Sequence, residues 1–159
     1  MAIYLYTDGS SLGNPGPGGY GLRLEWEGMS YVKEFSQGFV RTTNNRMELM
    51  AVIVGLELLK KQSLEVVVYS DSKYVIDSVE KKWVFGWEKK AFKDKKNSDL
   101  WKRFLIIYRK HKVHFQWIKG HNQHPQNERC DQLAVAAAKG KNLIPDTAFE
   151  RMEREKSRD

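Results

Sequence analysis

The sequence predicts an α/β domain in which a mixed five-stranded sheet carries helices packed on both faces. Three observations lead there. Three extended segments come first, separated by Gly- and Pro-rich turns; the apolar period then lengthens to that of a helix; and strand-like and helix-like segments alternate from there on. Strands joined by short turns pair antiparallel, whereas strands separated by helices pair parallel through right-handed crossovers. The first part of the sheet is therefore an antiparallel meander and the later part is parallel.

Taken in order, AIYLYTDG is a strand, SSLGNPGPGG a turn region, and YGLRLEWEG and SYVKEFSQGF two further strands. In TTNNRMELMAVIVGLELLKK, Thr and Asn offer capping oxygens, and apolar residues then surround nearly the whole helix from Met47 to Leu59, so this helix is central and buried. LEVVVYSD is a continuous apolar strand of the kind covered on both faces, SKYVIDSVEKK is helical, and SDLWKRFLIIYRK is an amphipathic helix opened by a Ser/Asp cap. HKVHFQWIKG supplies the fifth strand. NERCDQLAVAAAKG is an Ala-rich helix closed by Gly140, and the charged residues 151–159 form a disordered tail. Residues 1–150 make one domain, without repeats or linkers.

The 159 residues include one cysteine, Cys130, which excludes an intrachain disulfide or a Cys-rich zinc site and suits a reducing compartment. The opening MAIYLYTDGS lacks a basic, apolar leader, and no stretch is apolar enough for a membrane helix, so the expected location is cytoplasmic with no membrane partner. Net charge is +7, and residues 81–103 hold nine Lys/Arg against three Asp/Glu. A local cluster of that kind suits a polyphosphate partner, although a solvated basic surface has the same composition.

Four acids hold the candidate chemistry. Asp8 and Asp71 end the first and fourth strands, Glu48 lies early in the buried helix, and Asp131 early in the last one. Singly, each is explained as a turn former or as an acid placed well against a helix dipole. Helical phase puts Glu48 on a stripe with Val52 and Gly55, and Asp131 on one with Ala134, Val135 and Ala138, so both face the core side. A buried carboxylate must be protonated, paired or metal-bound. If strands one and four are neighbours, Asp8 and Asp71 emerge together at their C-terminal ends, and four hard oxygen donors suit Mg²⁺ or Mn²⁺. Two such ions, about 3.5–4 Å apart, serve phosphodiester hydrolysis.

The blocks YTDGSSLGNPGPGGYG, TTNNRMELMAVIVGLE, VVVYSDSKYV and WIKGHNQHPQNERCDQLA, in this order and spacing, resemble the signature blocks of the bacterial type 1 ribonuclease H family over about residues 3–140. The resemblance implies the ribonuclease H fold with strand order 3-2-1-4-5, and a monomeric, magnesium-dependent endonuclease cutting the RNA strand of RNA/DNA hybrids. Asp8, Glu48, Asp71 and Asp131 are then the metal tetrad. His121 aids proton transfer or product release, whereas His124 does not align with the family's catalytic histidine. Asn14, Asn44 and Asn45 would contact the minor groove, where ribose hydroxyls mark RNA. Arg41, Thr43 and Asn97 resemble the family's pocket for a DNA-strand phosphate. KKWVFGWEKKAFKDKKNSDLW resembles its basic protrusion, at about residues 81–100, with Trp83 lining the DNA channel and Lys89, Lys90, Lys93, Lys95 and Lys96 meeting phosphates; Trp87 and Trp101 are mainly core. Lys73 stands at a substrate-binding position where the family often has glutamine, Ser11 replaces a frequent cysteine, and the protrusion is shorter than in the best-known bacterial enzymes.

Other functions fit less well. GNPGPGGYG lacks the following Gly-Lys-Ser/Thr of a phosphate loop and leads into a strand rather than a helix. A non-catalytic hybrid-binding module would not need four metal acids, and a DNA nuclease of the same fold would not need the TTNN and KGH blocks.

Overall fold

The computed structural model describes residues 1–119 and 124–157. The elements are β1 (Ala2–Ser11), β2 (Gly16–Trp26), β3 (Val32–Thr42), α1 (Asn44–Glu57), β4 (Glu65–Ser70), α2 (Lys73–Glu80), α3 (Trp83–Lys89), α4 (Ser98–Tyr108), β5 (Lys112–Trp117), α5 (Pro125–Lys139), β6 (Leu143–Ile144) and α6 (Thr147–Lys156). They build one sheet in the order β5-β4-β1-β2-β3-β6. β1, β2 and β3 pair antiparallel, while β1 pairs parallel with β4 and β4 parallel with β5. The expected order 3-2-1-4-5 is thus present, with a sixth strand added at the β3 edge. That strand, two residues long and paired with Gly38 and Phe39, is too short to show any alternation in sequence.

Two neighbouring β2 residues show how helices cover both faces. A side chain at Gly18 would come within 3.3 Å of the Met47 side chain of α1, whereas one at Gly19 would come within 2.7 Å of the Ala134 carbonyl and 2.8 Å of the Ala138 amide of α5. Adjacent strand residues point to opposite faces, so α1 and α5 lie on opposite sides of the sheet. The Ala-rich surface of α5 rests almost directly on strand backbone. This also corrects the expected turn at residues 10–19: Ser10 and Ser11 pair with Gly19 and Gly18 inside the ladder, leaving only residues 12–15 as the turn.

α1 is buried from Arg46 to Ile53 and again at Gly55 and Leu56, as its apolar circumference predicted. Thr43 caps it, the hydroxyl accepting from the Arg46 amide at 3.3 Å. Ser98 and Asp99 do not cap α4; they are its first residues, and Asn97 precedes it with φ +62°. The expected disordered tail is helical through Lys156. What orders it is Asp146, 4% exposed, which accepts from Arg46 Nε at 2.7 Å and Thr42 Oγ1 at 2.7 Å, with Phe149 lying beneath the Arg46 guanidinium. Among the described residues no helix is long and apolar enough to cross a membrane.

Candidate active site

Parallel register places the first two acids. Tyr6 is level with Tyr69, so the same offset carried two residues further sets Asp8 level with Asp71, just past the end of β4. Glu48 reaches this point from α1 on one face of the sheet, and Asp131 from α5 on the other. Ligand oxygens of Asp8, Glu48 and Asp71 lie within 4.8 Å of one another. Asp131 is half-buried rather than buried and stands outside that compact group, but it lines the same cleft. The cleft, of about 370 Å³, is completed by Gly9, Asn44, Asn45, Ser72, Lys73 and Tyr74.

Gly9 was not singled out from the sequence, yet it holds the site together. Its amide donates to Asp8 Oδ1 and Glu48 Oε1, both at 2.9 Å. A side chain there would collide with the Met47 and Glu48 backbone. The signal in sequence was a glycine directly after the acid at the end of an apolar strand, where close backbone approach is its usual purpose.

Burial is the first cause of the electrostatics. It raises the Asp8 carboxyl from 3.8 to about 7, with the charges of Asp71 and Asp131 adding to the rise and hydrogen bonds with the Glu48 side chain and the Gly9 amide opposing it. Burial and the charge of Asp8 likewise push Glu48 well above the ordinary range. Among the described residues, Glu48 Oε2 is buried with no hydrogen-bond partner. A buried acceptor facing two further carboxylates is the environment a hard divalent cation satisfies. The residues present therefore fit such an ion.

The predicted substrate residues sort into three places. Asn44 and Asn45 line the cleft, while Asn14, also exposed, accepts from the Asn44 amide at 3.1 Å. Lys73 sits on the cleft rim, its ammonium 4.0 Å from the Trp117 ring centre. Thr43 and Asn97 line a neighbouring groove of about 810 Å³ beside Lys95 and Lys96. Arg41 lies by this groove but is paired with Glu153, at 2.8 and 3.1 Å. Arg46, which sequence reasoning passed over, holds Asn97 by a 3.3 Å bond to Oδ1.

The basic protrusion is α3 and the loop that follows. Lys89, Lys90, Lys93, Lys95 and Lys96 are exposed and Trp83 is 47% exposed, whereas Trp101 is fully buried with Trp87 edge-on against it. Of the segment's three acids, Glu88 is bound to Arg109 and Asp99 to Arg46, so two are neutralised from outside it.

His121 lies outside the described residues. His124 is the N-cap of α5: its Nδ1 accepts from the Asn127 amide at 3.4 Å and its ring stacks on Tyr69.

Carboxylates from two adjacent parallel strands and from helices on both faces line one cleft, and three of them form a cluster of the kind found in metal-dependent hydrolases. The chain belongs to the RNase H family, whose family model matches residues 1–139. It is 51% identical to Ribonuclease H of Lachnoclostridium phytofermentans over 94% of this chain and 100% of that protein. With Ribonuclease H of an Escherichia coli strain it shares 49% identity over 93% of this chain and 96% of the relative. Among solved structures, a type 1 RNase H with the type 2 active-site motif (LC9-RNase H1) matches with TM-score 0.77 and 33% identity over 86% of this chain and 72% of the other. LC11-RNase H1, solved in complex with RNA/DNA hybrid, matches with TM-score 0.65 and 27% identity over 86% and 96%.

Proposed function

We propose that this chain is an endoribonuclease that hydrolyses phosphodiester bonds of the RNA strand in RNA/DNA hybrids, leaving 5′-phosphate and 3′-hydroxyl ends. The convergence of Asp8, Glu48 and Asp71, with Asp131 on the same cleft, carries this reading. Two magnesium ions, replaceable by manganese, would be held by these four residues, and when bound they supply water activation and neutralise charge on the departing O3′. The chain's own residues do the rest. Gly9 fixes the carboxylates of Asp8 and Glu48; Asn44 and Asn45, which line the cleft, would meet the ribose hydroxyls of the RNA strand; and Lys73 adds positive charge at the rim. The enzyme is read as a monomer, and a bacterial cytoplasmic setting suits its free buried Cys130. Labelled RNA/DNA hybrid, double-stranded RNA, double-stranded DNA and single-stranded RNA, each incubated with and without magnesium, test the reading. Cleavage restricted to the RNA of the hybrid and dependent on the cation is expected; equal cutting of double-stranded DNA would refute it.

The exposed lysines of the protrusion are read as the hybrid's phosphate contacts. Neutralising Lys89, Lys90, Lys93, Lys95 and Lys96 together should weaken binding and flatten its salt dependence, because phosphate contacts act through counterion release. The chemical step should change much less. A five-fold variant with wild-type KM and salt slope would remove the protrusion from the binding surface.

His121 is proposed to aid proton transfer or product departure, and a positioned acid/base group contributes about 10²–10⁴-fold. His121→Ala should therefore turn over slowly but measurably. His124→Ala, which loses a cap and two ring contacts, should cost about 1 kcal/mol of stability and leave turnover nearly intact. If His124→Ala showed the larger turnover defect, the two roles would be reversed.

A further inference from the structure

Arg41 and Glu153 form a two-pronged pair between the end of β3 and the second turn of α6, Nε to Oε1 at 2.8 Å and Nη2 to Oε2 at 3.1 Å. This is the fork geometry that an arginine also offers a phosphate. The pair stands at the groove containing Thr43 and Asn97, and Glu153 itself is part of the groove wall, with Phe149 and Met152. The charge of Glu150 also acts on Arg41. α6 has no buried residue, and its firm anchor is Asp146 at the N-cap, seven residues before Glu153. The side chains of the Arg41–Glu153 pair are 48% and 34% exposed, within reach of solvent and of a competing anion.

We propose that Glu153 is an affinity-setting residue, its carboxylate occupying Arg41 where a phosphate of the hybrid's DNA strand binds, so that substrate must displace it. The proposal rests on the assignment of Arg41, Thr43 and Asn97 as a phosphate pocket. An exposed bidentate pair of this kind is weak enough for a phosphate to break and strong enough to lower hybrid affinity by up to about fivefold. The competition is a property of α6, whose residues from 151 onward the sequence placed in a disordered tail.

Binding of a fluorescent RNA/DNA hybrid in EDTA, measured by anisotropy, tests this without cleavage. Glu153→Gln should bind about three- to fivefold more tightly than the unaltered protein, Arg41→Ala more weakly, and the double variant no differently from Arg41→Ala. Melting curves of all three should stay close to the parent, since no buried residue is altered. If Arg41→Ala weakens binding but Glu153→Gln does not tighten it, the competition is overturned and the pocket stands. An equal gain from Glu153→Gln with and without Arg41 would mean that it acts through overall charge, which also overturns the proposal. No effect of Arg41→Ala removes the pocket assignment and the competition together.

Discussion

Asp8→Asn is expected to reduce turnover on an RNA/DNA hybrid by on the order of 10³-fold or more, and at the same time to raise the melting temperature of the metal-free protein. The first effect follows from losing one charged oxygen of a site whose electrostatic contribution is several kcal/mol, at 1.36 kcal/mol per factor of ten. The second follows from burial. Asp8 has its folded-state value raised from 3.8 to about 7, so the folded state holds a proton that the unfolded chain releases. A raised carboxyl destabilises the fold once pH exceeds the ordinary value, and the penalty is complete above about pH 7. Metal-free protein should therefore lose stability between about pH 4 and 7. Asparagine removes that loss, giving a gain of at least about 1 kcal/mol at pH 8, or about 2–4 °C, and nearly none at pH 4. Melting in EDTA at both pH values is the measurement. A lower melting temperature for Asp8→Asn at pH 8 would contradict the buried, crowded carboxylate, and ordinary turnover would remove Asp8 from the site.

What was legible in sequence was whatever has a period or a register. The circumference of α1, the two-sided apolar run of β4 and the placement of Asp8 beside Asp71 follow from spacing, because helix phase and strand pairing fix where side chains go. Asp131 was placed on the core side by the same logic and is only half-buried, since α5 sits against glycine backbone and its first turns open towards the cleft. What could not be read were features created by contacts distant in sequence. Gly9 matters because α1 crosses it, and α6 exists because Asp146 finds Arg46 and Thr42 about a hundred residues earlier. α3 was likewise hidden inside a segment whose lysines and aromatics gave no clear period.

The second large effect concerns that hidden connection. Arg46, 1% exposed, donates to Asp146 through Nε and Nη2 at 2.7 and 2.9 Å and to Asp99 through Nη1 and Nη2 at 2.9 and 2.8 Å. It thereby joins α1, the start of α4 and the start of α6. Arg46→Ala would leave Asp146 buried with only the Thr42 hydroxyl, and breaking one side of a buried pair costs about 3–5 kcal/mol. A fall in melting temperature of about 6–20 °C is expected at pH 7. Acid should narrow the difference. Burial pushes the Asp99 carboxyl up, but the hydrogen bonds and charge of Arg46 outweigh it and hold the carboxyl below its ordinary 3.8. A depressed carboxyl contributes stability above its unfolded value and loses it as pH falls through the folded one, so the parent alone forfeits this contribution below about pH 4. Replacing the stranded acid should also help: Arg46→Met with Asp146→Asn should be more stable than Arg46→Met alone, because the cost lies in the unpaired charge rather than in the missing bonds. Should both variants melt equally, Asp146 would be reaching solvent when Arg46 is gone. The same lesion reaches the groove, since Asn97 loses its bond from Arg46, so hybrid binding should weaken in Arg46→Met even at temperatures where it is fully folded.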